Sequence, residues 1–229
     1  MRRDILSAMD VETAARRACV LITNIEDGAQ RLFLAGREPT DDVEDGARTA
    51  LRDGQSRLET HGASRYFFTV ALPPPRVVIV GASHIAQSLA PMSLMAGFDV
   101  TIVDPRSAFA SRERFPQVML LAQWPQDAFA AMPLDPFCAV VLLSHTPAID
   151  DPAQTAALDA GCFYIGALGS RKTQADRFER LAAAGRAHQA DRIRAPIGLD
   201  IGAKTPAEIA VAILAEIVAT LRQRGAGAR

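Results

Sequence analysis

The chain has 229 residues, 49% hydrophobic and 22% charged, a composition that excludes disorder and supplies one or two ordinary cores burying roughly 70% of the unfolded surface. Its 25 Lys and Arg against 26 Asp and Glu leave a formal net charge of -1, which removes the electrostatic case for nucleic acid or an anionic membrane as partner. No apolar run reaches the roughly 18 residues of a membrane span. The opening residues carry charge throughout and no apolar signal core, so a cytoplasmic location is expected. Cys19, Cys138 and Cys162 lie far apart with no CxxC and read as free thiols of a reducing compartment.

Residues 19–25 (CVLITNI) predict a strand, and Glu26-Asp27-Gly28 a turn into a second short strand over 31–35, a hairpin pattern. Residues 41–52 predict a helix capped by Thr40 or Asp41. SRYFFTVAL, 64–72, reads as another strand. Three consecutive prolines at 73–75 can continue neither helix nor central strand and form a stiff connector. The expected organisation is a small α+β domain over 1–72, the proline linker 73–75, and a second domain over 76–229.

Beyond the prolines the pattern becomes regular. Apolar strands are predicted over 77–80 (VVIV), 100–103, 118–121, 139–144 and 163–166. Helices are predicted over 85–96, 125–132, 152–160, 173–184 and 206–222. Asp150 and Asp151 read as caps of the third of these. Strands apolar on both faces and alternating with helices indicate a Rossmann-like doubly wound parallel sheet of order 3-2-1-4-5.

The first strand runs into Gly81-Ala82-Ser83-His84-Ile85-Ala86, G-x-S-x-x-A where a dinucleotide fingerprint has G-x-G-x-x-G/A. Gly81 suits a tight turn and Ala86 close helix packing. Ser83 adds a Cβ where a pyrophosphate approaches, but its hydroxyl can donate to phosphate. Asp104 ends the second strand 23 residues after Gly81, near the offset at which an acid binds a ribose 2′-hydroxyl, and Arg106 can instead meet a 2′-phosphate. A vestigial nucleotide site on the same fold is the plainer reading.

Two further glycine-rich turns precede helices. Gly166-Ala167-Leu168-Gly169-Ser170-Arg171-Lys172 places backbone N–H groups, a hydroxyl and two cations at a helix start, an anion cradle without Walker spacing. An ordinary turn with solvated cations is the alternative. In the second, Thr205 to Glu208 form a capping box with proline at the first helical position. Asp200, Gly202 and Lys204 stand just before it and form either a local ion pair or a polar ligand site. Lys172 and Lys204 are the chain's two lysines, and lysine is a compact point charge suited to phosphate. Ser144 and His145 end the fourth strand, so His145 faces the Gly81 turn across the switch point. His145 is the one candidate proton donor. No third ligand accompanies His84 and His145, so no metal site is expected.

Taken together, VVIVGASHIAQSLAPMSLMAGFDVTIVDPRSAFASRERFP, YIGALGSRKT and RIRAPIGLDIGAKTPAEIAVAILAEI resemble the XdhC/CoxI proteins, maturation factors for xanthine dehydrogenase and related molybdenum hydroxylases. The likeness covers about 76–218. It implies a carboxyl-terminal Rossmann-like domain that binds molybdenum cofactor, as molybdopterin or its cytosine dinucleotide. It further implies support of sulfuration by a cysteine desulfurase and transfer to the apo molybdenum hydroxylase large subunit. Two departures stand out. Family members commonly carry an S-G-G-C segment near the amino terminus, which this chain lacks, so Cys19 inherits no role as molybdenum ligand; a separate cysteine-bearing XdhC/CoxI protein would then supply it. The family also tends to have His-Asp after the fourth strand, where this chain has His145-Thr146. The expected protein is a non-enzymatic cofactor chaperone, compatible with a homodimer. Its competitors are an NAD(P)-dependent oxidoreductase using the same crevice and a nucleotide-binding interaction module without catalysis.

Overall fold

Two separate β-sheets organise the chain in the computed structural model, which describes residues 3–223 apart from the side chain of Arg171. One unit runs to Pro74 and takes in Arg222 from the far end; the other spans Pro75–Leu221.

The first unit opens with α1 (Arg3–Ala14), a helix that the sequence reading did not predict. Its polar residues hide the pattern, because Met9 is its one buried residue. Strands β1 (Cys19–Asn24), β2 (Gln30–Leu34), β3 (Arg57–His61) and β4 (Ser64–Ala71) form an antiparallel sheet of order β2-β1-β4-β3, with α2 (Asp42–Asp53) between β2 and β3. Alternation along β1 decides the two faces. Val20 and Ile22 pack with Phe33, Phe68 and the alanines of α2, while Cys19 and Leu21 pack with Met9. Asp41 is the cap of α2, accepting from Glu44 N at 2.8 Å. β3 also escaped prediction: RLETH is a polar edge strand, a composition that discourages further pairing.

In the second unit, β5 (Arg76–Val80), β6 (Asp99–Val103), β7 (Met119–Leu121), β8 (Cys138–Leu142), β9 (Tyr164–Ala167) and β10 (Ile193–Arg194) form one parallel sheet of order β7-β6-β5-β8-β9-β10. This is the expected 3-2-1-4-5 arrangement extended by a sixth strand, too short to show a period. Val77 to Val80 are all 0% exposed, and burying each such side chain contributes about 1.5–3 kcal/mol. Helices α3 (His84–Met95) and α7 (Pro206–Gln223) cover one face; α4 (Pro125–Ala131), α5 (Pro147–Asp159) and α6 (Arg171–Ala183) cover the other. The fold is Rossmann-like.

Helix α5 corrects the sequence reading. Either Pro147 or Pro152 suits the first helical position, and the helix starts at Pro147. Asp150 and Asp151 therefore lie inside it and cap nothing. Asp151 pairs with Arg180 of α6 at 2.6 Å, and Asp150 turns inward.

Candidate functional site

The strand order reverses between β5 and β8, and the crevice at their carboxyl ends is where such sheets bind ligands. Gly81 follows β5 with φ +105. A Cβ there would stand 2.5 Å from Ser144 N, so glycine alone lets this turn touch the end of β8. Ser83 caps α3, its Oγ accepting from Ala86 N at 3.3 Å. The Ala82 N–H donates to Asp104 at 2.8 Å and the Ser83 N–H to Gly81 O at 2.9 Å. The first-turn amides of His84 and Ile85 are those a helix start leaves without an intrahelical acceptor, and the His84 side chain is exposed.

Asp104 directly follows β6 and is 0% exposed. It accepts from the Arg106 backbone N–H and Nε, both at 2.9 Å, and from Arg106 Nη2 at 2.7 Å. Burial pushes its carboxyl up, but the Arg106 and Ala82 hydrogen bonds outweigh that and hold it below the usual carboxylate range. Asp104 thus fastens the Gly81 turn from within.

The sequence reading missed Arg114. Its Nη1 donates to Ala82 O at 2.9 Å and Phe109 O at 2.8 Å, and its Nη2 to Gln87 Oε1 at 2.9 Å. All three acceptors are neutral and Arg114 makes no ion pair among the described residues, so the guanidinium brings a positive charge to the Gly81 turn. No periodic signal marks it, because it stands in the irregular stretch between β6 and β7.

At the end of β8, Ser144 is buried and His145 is exposed at φ +60, a conformation that costs a non-glycine residue about 1–3 kcal/mol. Ser144 Oγ donates to Asp150 at 2.6 Å and accepts from Thr146 N at 3.1 Å. Asp150 pairs with Arg177 of α6 at 3.3 Å, both being nearly solvent-free. Arg177 donates to Gln174, whose amide holds Ala167 O at 3.1 Å. A buried chain of side chains thereby ties the β8 turn to the β9 turn. Burial raises the Asp150 carboxyl above its ordinary value, against its bonds to Ser144 and Arg177, and lowers Arg177.

The β9 turn carries Gly169 at φ +152 and Ser170, which caps α6 by accepting from Thr173 N at 3.2 Å. Lys172 is exposed and, among the described residues, makes no ion pair. The side chain of Arg171 lies outside the described residues. Since β8 separates β5 from β9, the Gly81 and Gly169 turns stand about 10 Å apart.

The third turn is tied to α7. Gly198 N donates to Glu216 at 2.8 Å, and Leu199 N to Ala212 O at 3.2 Å. The capping box forms: Glu208 N bonds Thr205 Oγ1 at 3.3 Å, while Glu208 Oε2 accepts from Thr205 N at 3.0 Å and Lys204 N at 2.7 Å. Gly202, at φ +74, Asp200 and Lys204 are exposed. The ion pair between Asp200 and Lys204 is not made among the described residues.

All three cysteines are buried. Burial raises the Cys19 thiol, assisted by Glu12, and pushes Cys162 up to about 12. Neither environment favours a thiolate.

Residues 77–217 match the family model described as the XdhC Rossmann domain. A protein of Bacillus subtilis named as a probable xanthine dehydrogenase component is 32% identical over 152 residues, 66% of this chain and 44% of that protein. The molybdenum cofactor insertion chaperone PaoD of Escherichia coli is 32% identical over 146 residues, 63% of this chain and 40% of that protein. The chain thus spans less than half the length of each of these curated relatives. The crystal structure of a xanthine dehydrogenase from Bacillus halodurans is similar with a TM-score of 0.71 at 19% identity, over 97% of this chain and 68% of that one; at that identity the likeness concerns the fold.

Proposed function

The chain belongs to the XdhC family, and from that premise we propose that it binds molybdenum cofactor as cargo and delivers it to a xanthine dehydrogenase-type molybdenum hydroxylase. The observation that carries this reading is the crevice between β5 and β8. The first turn of α3, whose amides a helix start leaves without an intrahelical acceptor, borders it; Arg114, which makes no ion pair among the described residues, reaches the Gly81 turn from the loop after β6, and Lys172 stands on the neighbouring turn. These groups suit the phosphate of a pterin or the pyrophosphate of its dinucleotide form. Gly81, Ala82, Ser83 and His84 would hold that end beside Ser144 and His145, with Gly169, Ser170 and Lys172 across β8. Lys204, Gly202 and Asp200 would close over it from the loop before α7. Arg171 is assigned to the same anion cradle on sequence alone.

A carrier needs reversible binding and no irreversible chemistry. The three cysteines, all buried, are not ligands of molybdenum in this reading. In this reading the sulfur comes from a cysteine desulfurase, and a cysteine ligand from a separate cysteine-bearing protein of the family. A cytoplasmic homodimer fits the same role.

The nicotinamide alternative is weaker. It needs Asp104 for a ribose hydroxyl, whereas that carboxylate is 0% exposed and engaged by Ala82 and Arg106. Titration calorimetry with molybdopterin, molybdopterin cytosine dinucleotide, NADH and NADPH separates the two, followed by activation of a cofactor-free hydroxylase by the loaded protein. Pterin binding and transfer are expected. Nicotinamide binding without pterin binding would overturn the proposal.

A further inference from the structure

We infer that Arg106, Phe109 and Arg114 form a subsite for the base and phosphate of a nucleotide at the carboxyl end of β6. The inference deepens the reading above and rests on it: the cargo would be a nucleotide-extended form of the pterin.

Phe109 is a large apolar side chain left 48% exposed, yet its place is fixed. Its N–H donates to Arg106 O at 2.9 Å, and its carbonyl accepts from Arg114 at 2.8 Å. Two guanidinium groups flank the ring, Arg106 at 4.9 Å and Arg114 at 6.0 Å from its centre. Asp104 grips the Arg106 guanidinium through two nitrogens, so that plane is also held. An ordered, half-bare ring beside a fixed guanidinium is a stacking platform for a planar heteroaromatic ring. Ser107 and Ala108, small and exposed, leave room beside it.

Charge supplies the second half of the argument. Arg106 is neutralised by Asp104, whereas among the described residues Arg114 donates to neutral acceptors alone. One nitrogen of Arg114 binds both Ala82 O and Phe109 O, so the ring's loop lies against the Gly81 turn. A phosphate at that turn would meet Arg114 while a base linked to it reaches Phe109. Asp104, where dinucleotide folds read a ribose hydroxyl, here positions the stacking arginine.

The test is calorimetric titration of the whole chain with AMP, CMP, ribose 5-phosphate and inorganic phosphate. AMP and CMP should bind about tenfold or more tightly than ribose 5-phosphate. Phe109→Leu, which keeps the apolar bulk, should reduce nucleotide affinity to that of ribose 5-phosphate and leave the latter unchanged. Phe109→Trp should retain the preference. Arg114→Gln should weaken all four ligands alike. Equal affinity for nucleotides and ribose 5-phosphate, or a preference that survives Phe109→Leu, would overturn the subsite. Molybdopterin without a nucleotide, titrated in parallel, keeps the two claims apart. If it binds wild type and Phe109→Leu equally while nucleotides bind no better than ribose 5-phosphate, the subsite falls and the carrier reading stands. If no pterin form binds at all, the carrier reading falls.

Discussion

The carboxylate of Asp104 accepts the backbone N–H of Ala82 at 2.8 Å, so the acid just after β6 locks the turn after β5. Its folded-state value lies below the ordinary one, through the Arg106 and Ala82 bonds that outweigh burial. A depressed carboxyl contributes stability that is present above the unfolded value near 3.9 and lost as pH falls through the lower folded value. Asp104→Asn should therefore cost about 2 kcal/mol at pH 7, and the gap from wild type should narrow as pH drops below about 4. Urea unfolding followed by fluorescence of Trp124, the single tryptophan, reports on this unit. A gap independent of pH would show that the charge of Asp104 is not what holds the turn.

Gly81 and Gly202 both have positive φ, at +105 and +74, but their surroundings differ. Alanine at 81 would drive its Cβ into the Ser144 backbone at 2.5 Å, whereas nothing lies within 4 Å of a Cβ at 202. Gly81→Ala should cost about 3 kcal/mol or more, strain plus clash, and Gly202→Ala about 1–2 kcal/mol from conformation alone. Thermal unfolding of the two variants checks the ranking. Equal losses would mean that the β5 and β8 ends separate easily.

The parallel sheet was legible because β5 and β8 are buried on both faces and spelled in β-branched and aliphatic residues. The glycine turns and the Thr205–Glu208 cap were legible for the same local reason: each is written within a few residues. What escaped depends on distance or polarity. Asp150 reaches Arg177 across 27 positions, and Arg114 reaches Ala82 across 32; no short pattern announces either. Polar α1 and β3 mask their periods, and β10, two residues long, has none. Asp104 was visible as an acid in the right place. That it serves the fold's own backbone shows only once β5 and β6 lie side by side.

The buried Asp150–Arg177 pair predicts strong non-additivity. Removing one partner leaves the other charge uncompensated in a site only 1–3% exposed. Arg177→Met and Asp150→Asn should each cost about 3–5 kcal/mol, and the double variant clearly less than their sum. A double-mutant cycle in urea, read at Trp124, measures the coupling. Additive losses would show that Ser144 and Gln174 hold the two turns without the charges.

Lys172 and Lys204 are exposed and make no ion pair among the described residues. Replacing either by alanine should leave stability within about 0.5 kcal/mol, so any change in ligand affinity belongs to the ligand. Lys172→Ala should weaken molybdopterin binding by about 1–3 kcal/mol. That loss should shrink at about 1 M salt, where screening acts within roughly 3 Å. Lys204 decides a separate question, because its loop is hydrogen-bonded to α7. A comparable, salt-sensitive loss in Lys204→Ala would bring the third glycine turn over the crevice with its cargo. Unchanged affinity would confine binding to the turns after β5, β8 and β9.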